Sequence, residues 1–167
     1  MKKVMLMMVV FFGVLPAVRA TDVAVTVKQH REHSKMSERP FGKGDLSYGL
    51  FMEFLDGPGG WRIGAAYAND VSGPLENIDR VITPEITLFL LDEGWEAGIS
   101  VLKDYITDDE DSDWGSTYFQ MQLGYNFPMG RTGSIGIHTF YPFEGFGDLG
   151  SFRFSDLDFG ITARFRF

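Results

Sequence analysis

Three residues near the ends of predicted strands are of the types that carry out acyl chemistry. His30 supplies an imidazole, Asp70 a carboxylate and Ser72 a hydroxyl, and a second histidine, His33, follows His30 closely. A histidine that is oriented by a carboxylate and lies beside a hydroxyl is the minimum set for acyl transfer. An alternative interpretation is that these common residue types are solvated loop side chains. Which of the two holds depends on the elements that position them.

The end of the chain, residues 155–167, alternates strictly between two faces. One face is apolar and carries Leu157, Phe159, Ile161, Ala163, Phe165 and Phe167. The other face carries charged and small residues, namely Asp156, Asp158, Gly160, Thr162, Arg164 and Arg166. This period of two predicts a β-strand. In an outer-membrane barrel the apolar side faces lipid and the polar side faces the lumen, whereas in a soluble sandwich the polar side would face water. A terminal phenylalanine is typical of bacterial outer-membrane barrels.

The beginning of the chain has the features of a secretory signal peptide. Lys2 and Lys3 precede an apolar run from residue 4 to about residue 16, and small residues, including Ala17 and Ala20, follow. A charged start, an apolar middle and a small-residue cleavage site are the parts of such a peptide. We therefore assign residues 1–20 to a signal peptide and residues 21–167 to one outer-membrane β-barrel domain.

Composition restricts the classes of function. The chain has no cysteine, which excludes disulfides and thiolate chemistry, and its net charge of −8 argues against nucleic acid as a partner. Beyond the signal, no apolar run reaches the roughly 18 residues that indicate a membrane helix. A closed barrel can still cross a membrane, because closure satisfies every backbone polar group. Phosphate-binding glycine loops and metal-ligand spacings are missing from the sequence, so we expect no cofactor and no metal.

Residues 21–167 provide enough chain for an all-β, eight-stranded antiparallel transmembrane β-barrel with up-and-down topology, since each strand takes about 9–11 residues. The alternation and the turn residues predict strands that begin near Asp22, Asp45, Trp61, Val81, Trp95, Gly115, Ser134 and Ser155. Tight periplasmic turns are predicted at residues 56–60, 92–94 and 128–133. Longer outer loops are predicted at residues 31–44, 71–80, 107–113 and 142–150.

This arrangement brings the acyl-chemistry residues to one rim of the lumen. His30 is the last regular inward position of the first strand, Asp70 is that of the third, and Ser72 follows two residues later on the same face. The other predicted lumen residues are Lys28, Glu53, Arg62, Glu85, Glu96, Gln120, Gln122, His138, Asp158 and Arg164. A barrel of eight strands is filled by its own side chains. We therefore expect these charges to pair as a structural plug and expect no open pore.

Several short segments, in their order along the chain, resemble the lipid A palmitoyltransferase family (PagP), which are eight-stranded outer-membrane enzymes. The segments are SERPFGKG at 37–44, AYANDVS at 66–72, DEGWEAGISV at 92–101, residues 112–114, LGYNFP at 123–128, TFYP at 139–142 and RFRF at 164–167. Together they cover about half of the chain that follows the signal. The weight of the resemblance comes from their shared order and strand placement.

The resemblance implies transfer of a palmitoyl chain from a phospholipid to lipid A, with phospholipid and lipopolysaccharide as partners in the bacterial outer membrane. The family's catalytic histidine maps to His30, or less well to His33, and its aspartate and serine map to Asp70 and Ser72. Proline weakens strand pairing. Pro40 and Pro142 match prolines near the rim of the family's barrel, where lipids would enter laterally. We expect a monomer.

Two other functions are compatible with the same residues. A small barrel of this kind could be non-enzymatic and support the membrane, adhere, or bind a partner through its acidic third loop. It could also be a lipid A deacylase, in which the histidine and serine would deliver water instead of a hydroxyl acceptor.

Overall fold

A computed structural model describes residues 22–33, 36, 38–73, 78–108 and 111–167. The signal peptide predicted for residues 1–20 lies outside these residues and stays a prediction. The helices among the described residues are two short 3₁₀ turns, Phe146–Ser151 and Phe154–Asp156. No helix in this part of the chain is long and apolar enough to cross a membrane.

Eight antiparallel strands pair in chain order and close into a barrel, because the last strand also pairs with the first. The strands are β1 (Asp22–Gln29), β2 (Leu46–Asp56), β3 (Gly59–Val71), β4 (Ile78–Asp92), β5 (Trp95–Asp108), β6 (Ser112–Met129), β7 (Gly133–Phe143) and β8 (Asp158–Arg166). This architecture confirms the predicted all-β, up-and-down fold. Closure removes the free sheet edges that an open sheet would expose.

The connections differ from the prediction mainly at the outer end of the barrel. The periplasmic turns are tight and comprise residues 57–58, 93–94 and 130–132. The ladder between β5 and β6 continues until Thr107 pairs with Ser112, so most of the predicted acidic third loop belongs to strands. The fourth loop lies at residues 144–157 instead of 142–150, because β7 is longer and β8 begins later than predicted. The polar residues at these strand ends have high turn propensity and therefore predict loops. In the structure they continue the hydrogen-bonded ladder.

The outer surface of the barrel is apolar. Outward apolar side chains remain exposed, as Leu50 (61 %), Leu88 (62 %) and Ile137 (56 %) illustrate. Their sequence neighbours Thr87 and His138 point into the lumen and are buried. A closed barrel that is apolar outside and polar inside is the architecture of a protein of the bacterial outer membrane.

The periplasmic half of the lumen holds a network of charges. Arg164 donates to Glu53 at 2.8 Å and also to Glu96, while Arg62 donates to Glu96 at 3.3 Å. The Gln122 amide donates to the same Glu96 carboxylate at 2.7 Å. The ten residues predicted to form the plug, which run from Lys28 to Arg164, are all buried, so their assignment to the lumen is confirmed. Buried charges persist when they are paired and hydrogen-bonded, and these charges fill the barrel.

We expect Glu96→Ala to lower the free energy of unfolding by about 3 kcal/mol, because removing one partner of a buried ion pair leaves the other charge uncompensated. Urea unfolding of the protein refolded in lipid vesicles, followed by tryptophan fluorescence, measures the change. The control is Asp92→Ala at an exposed end of β4, which should stay within about 0.5 kcal/mol of the wild type. Equal stabilities of the two variants would show that the network does not hold the lumen together.

Candidate functional site

His30 lies just beyond the outer end of β1 and uses both ring nitrogens. Its Nε2 is 2.8 Å from the Oγ of Ser47, and its Nδ1 is 3.0 Å from a carboxylate oxygen of Asp158. The backbone N–H of His30 donates to Asp45 at 2.8 Å, and its carbonyl accepts from Gly44 at 3.0 Å. The imidazole is therefore fixed at the rim, with a hydroxyl and a carboxylate in the order that acyl chemistry uses.

The strand registers explain why these side chains meet. β1 and β8 pair with Lys28 opposite Gly160, so Asp158 comes opposite His30 two residues further on. On the other side, Ser47 pairs with Lys28 and lies one inward position from His30. The outer ends of β1, β2 and β8 thus contribute to one cluster, which we call the rim cluster (His30, Ser47 and Asp158).

Sequence reasoning found one member of the rim cluster and missed its partners. Asp158 was assigned to the lumen, but to the structural plug and not to His30, because its pairing with His30 follows from the closing register. Ser47 is also inward by the alternation of β2, since its neighbours Leu46 and Tyr48 are 43 % and 50 % exposed. The alternation of β2 and β8 is enough to predict that both side chains face inward. It does not give the registers of β1 with β2 and with β8, which bring them next to His30.

The described residues of the first outer loop (residues 30–45, loop 1) fold into the outer mouth and cover the rim cluster. Phe41 stacks on the imidazole of His30, with ring centroids 3.8 Å apart and planes 10° apart. Arg39 forms an ion pair with Asp158, and its Nη2 lies 2.8 Å from Nδ1 of His30. His30 is 3 % exposed, Ser47 is 2 % exposed and Asp158 is 0 % exposed. The cluster is therefore closed to solvent.

Loop 1 is seated on the outer ends of the strands that follow it. Phe41 packs in an apolar cluster with Ala68, Val71, Ile78 and Val81. The close approach of the loop also depends on Gly73, because a Cβ there would lie 1.6 Å from the carbonyl oxygen of the loop residue Pro40. Loop 1 is thus a packed part of the fold.

The protonation of His30 decides what the rim cluster can do. Burial lowers the pKa of His30 to about 4, although the Asp158 carboxylate opposes this shift, so the imidazole is neutral at pH 7. If Nδ1–H donates to Asp158, Nε2 accepts from Ser47 and can act as a base. If Nδ1 instead accepts from Arg39, Nε2–H donates to Ser47 and the hydroxyl is not activated. Acyl chemistry therefore needs the first tautomer.

The structure places Asp70 outside the lumen. Its φ is 51°, and the pairing of β3 with β4 passes from Asn69 opposite Arg80 to Val71 opposite Ile78. Asp70 therefore lies opposite Asp79 in a continuous register, in a left-handed backbone conformation that is uncommon for residues other than glycine, and its exposed carboxylate accepts from the Asn69 amide at 2.7 Å. The expectation that Asp70 is the last inward position was wrong, because the strand leaves its regular conformation at Asp70, and a single residue with a positive φ does not show in the alternation.

Ser72 ties loop 1 to the end of β3. Its Oγ donates to one oxygen of Asp45 at 2.6 Å, and its backbone N–H donates to the other at 3.0 Å. Gly42 also donates to Asp45, at 2.7 Å. The expected grouping of His30 with Asp70 and Ser72 is therefore not present in the structure. The catalytic roles that the resemblance gives these residues stay predictions.

The two prolines that were expected near a lipid entrance lie in different settings. Pro40 is buried in loop 1 and is not a strand residue. Pro142 lies within β7 opposite Gln120, and not at the start of the fourth loop as predicted. On the other side of β7, the ladder with β8 ends at Phe140, so Pro142 lies where β7 has no β8 partner. Lateral lipid access at these prolines stays a prediction.

The remaining histidines are buried in separate places. His33, in loop 1, lies 3.8 Å from the carboxylate of Asp156, and burial lowers the pKa of His33. His138 packs in the lumen between Gly124 and Gly136, and its two ring nitrogens make no hydrogen bond. In the part of the chain that the structure describes, no three His, Asp or Glu side chains are placed to hold a metal ion.

The fold and the filled lumen define a small outer-membrane β-barrel protein. The crystal structure of Neisserial surface protein A (NspA) is similar to it, with a TM-score of 0.59 over 89 % of this chain and 98 % of that protein, at 9 % sequence identity. At that identity the likeness shows a shared fold. No protein-family model and no curated protein matches the chain, so the similarity to the palmitoyltransferase family rests on the short sequence segments.

We expect Asp158→Asn to release loop 1, because this carboxylate is the common acceptor for Arg39, His30 and the backbone N–H of Arg31. A hydrogen bond to a charged group contributes about 1.5–3 kcal/mol, so trypsin should cleave loop 1 about tenfold faster or more. Limited proteolysis in vesicles with mass spectrometry measures the rate. Asp113→Asn, at the exposed outer end of β6, is the control and should leave it unchanged. If both variants resist trypsin equally, Asp158 does not hold the loop.

Proposed function

We propose that this protein is a non-enzymatic, non-conducting structural barrel of the bacterial outer membrane. The observation that carries the proposal is that the interior is occupied along its length. The charge network around Glu96 and Arg164 fills the periplasmic half, and Phe41 and Arg39 of loop 1 close the outer half. A cleft at the periplasmic mouth is lined by members of the same network, including Arg164.

A barrel of this kind acts through its surfaces. The lipid-facing belt anchors it, and the outer loops present an acidic rim with Asp108, Asp111 and Asp113 to the exterior. NspA, which has the same fold, is named a surface protein. Because the interior is sealed, the proposed role is support of the membrane or adhesion through the outer loops.

We expect the refolded protein to give no stepwise ion conductance in planar lipid bilayers, because the buried ion pairs leave no continuous water path. A general porin under the same conditions is the positive control, and heat-modifiable migration on gels confirms that the inserted protein is folded. Stable single-channel steps from the folded protein would contradict the sealed interior.

The rim cluster favours a second candidate function, lipid A acyl transfer. In that reaction His30 takes the proton from the lipid A hydroxyl while the hydroxyl oxygen attacks the palmitoyl ester of a phospholipid. The acyl bond to the lysophospholipid then breaks, and its alkoxide takes the proton from the imidazolium. Asp158 would orient the imidazole, and Ser47 would donate to the developing oxyanion or serve as the nucleophile. Delivery of water by the same groups would make the chain a deacylase.

This candidate needs two movements that the proposed structural role does not need. Phe41 and Arg39 must leave the imidazole, and an acyl chain must reach it from the membrane. The part of β7 around Pro142, which has no β8 partner, interrupts the wall, and entry there would also require the fourth loop, whose Phe152 packs on Tyr141, to move aside. A substrate that enters there would approach Asp158 at the start of β8.

Mass spectrometry of lipid A from cells with and without the protein separates the candidates. The structural role predicts no change, a transferase adds one palmitoyl chain and a deacylase removes one acyl chain. If lipid A changes, His30→Gln should lower the activity about 10²–10⁴-fold, because general-base help has that magnitude. Ser47→Ala should also impair it, whereas Ser72→Ala, the matched control outside the cluster, should not. Activity that depends on Ser72 and not on Ser47 would move the site to the residues predicted from the sequence.

A further inference from the structure

The fourth outer loop, residues 144–157 (loop 4), lies against the outside of the barrel wall. Tyr141 and Phe143 occupy outward positions of β7, because they pair with outward-facing Met121 and Phe119 of β6 and alternate in phase with Ile137. The outward side chains Leu123 and Ile137 in the middle of the wall are 54 % and 56 % exposed, yet Tyr141 and Phe143 are 2 % and 0 % exposed. Another part of the protein therefore covers them from the membrane side.

The cover is a layer of phenylalanines from loop 4, together with His33 of loop 1, whose ring centroid lies 5.6 Å from that of Tyr141. Phe146 packs on Phe143 with ring centroids 5.6 Å apart, and Phe152 packs on Tyr141 at 4.8 Å. Phe154 meets Phe152 edge to face at 5.0 Å. These distances are those of favourable aromatic pairs, so loop 4 is docked on the wall and is not directed away from the barrel.

The same phenylalanines present a large apolar surface on their other side. Phe146, Phe152 and Phe154 are 63 %, 41 % and 82 % exposed. This surface continues the lipid-facing belt, because Phe159 of β8 is outward, 42 % exposed and paired with Thr139. Thr139 is the last outward position of β7 before the covered pair. The belt and loop 4 are thus one apolar surface that extends toward the outer rim.

We propose that loop 4 is a membrane-embedded element whose phenylalanines enter the acyl-chain region of the outer leaflet. Its occupant is lipid because the apolar surface is continuous with the lipid-facing wall. The depth is limited, since irregular backbone exposed to lipid does not occur within the hydrocarbon core. The two 3₁₀ turns satisfy some backbone groups, as in the bond from the Asp148 N–H to the Gly145 carbonyl at 2.9 Å. The loop backbone therefore lies at the headgroup boundary, with its aromatic rings below.

This placement explains a feature of the wall. The ladder between β7 and β8 ends at Phe140, although β7 continues to Phe143. An uncovered strand edge facing lipid would leave backbone groups without partners. Loop 4 covers the outward face of this segment, and its insertion would keep lipid from the incomplete part of the seam.

The absence of cysteine from the chain permits a direct test by single-cysteine labelling. We would attach an environment-sensitive fluorophore to Phe154→Cys and, without removing a phenylalanine, to Ser155→Cys. Lys43→Cys in loop 1 is the aqueous control, and Ile137→Cys in the belt is the deep control. In phosphatidylcholine vesicles, we expect spin labels near the lipid headgroups to quench the two loop 4 probes several-fold more than the Lys43 probe. Spin labels near the chain ends should quench the Ile137 probe most strongly.

A third variant tests the phenylalanines themselves. Phe152→Ser with Phe154→Ser in the Ser155→Cys background should shift the probe toward water, with less lipid quenching and more iodide quenching. Heat-modifiable migration shows that each variant is folded. The proposal is overturned if iodide quenches the probe at position 155 of the otherwise unchanged chain as strongly as the Lys43 probe. It is also overturned if only a second protein molecule, detected by concentration-dependent quenching, shields the probe.

Discussion

The pairing of β8 with β1 is the constraint on which the rest of the structure depends. It closes the sheet, and it sets which side chains face each other across the seam. Asp158 comes opposite His30 and Gly160 comes opposite Lys28 because the closing register requires it. Gly160 also leaves room for the ring of Phe140, over which the Lys28 ammonium lies 4.5 Å from the centroid. The contacts inside the barrel therefore depend on the register between β8 and β1 as well as on the alternation within each strand.

The carboxylate of Asp158 has two uses that compete with each other. As a latch, it binds Arg39 and the start of loop 1 and keeps the mouth closed. As a member of a hydroxyl–imidazole–carboxylate series, it would orient His30 for proton transfer. The contact between Arg39 and Nδ1 favours the tautomer that leaves Ser47 inactive, so closing the loop and activating the hydroxyl are opposed. The structural role is compatible with the closed arrangement as it stands, whereas the acyltransferase role requires a rearrangement.

The sequence predicted the barrel because strand alternation is a local property that every strand repeats. It also predicted the lumen residues, since one alternating face determines the other. The left-handed conformation of Asp70 could not be predicted, because one residue with a positive φ breaks the alternation of the faces without changing composition. The partners of His30 could not be predicted either, because they depend on registers between strands distant in the chain. The packing of loop 1 into the mouth depends on close approaches such as that at Gly73, which no local pattern encodes.

The position of Arg164 near the end of the chain has a consequence for biogenesis. Arg164 neutralises Glu53 and Glu96, which belong to strands synthesised long before it. Until the last strand is in place, these acids have only Arg62 and lack half of their guanidinium partners. A polypeptide that lacks β8 thus carries uncompensated negative charge in its interior, and a partial barrel of the remaining strands is not stable. Closure of the barrel and neutralisation of these acids therefore occur in the same step, when β8 pairs with β1.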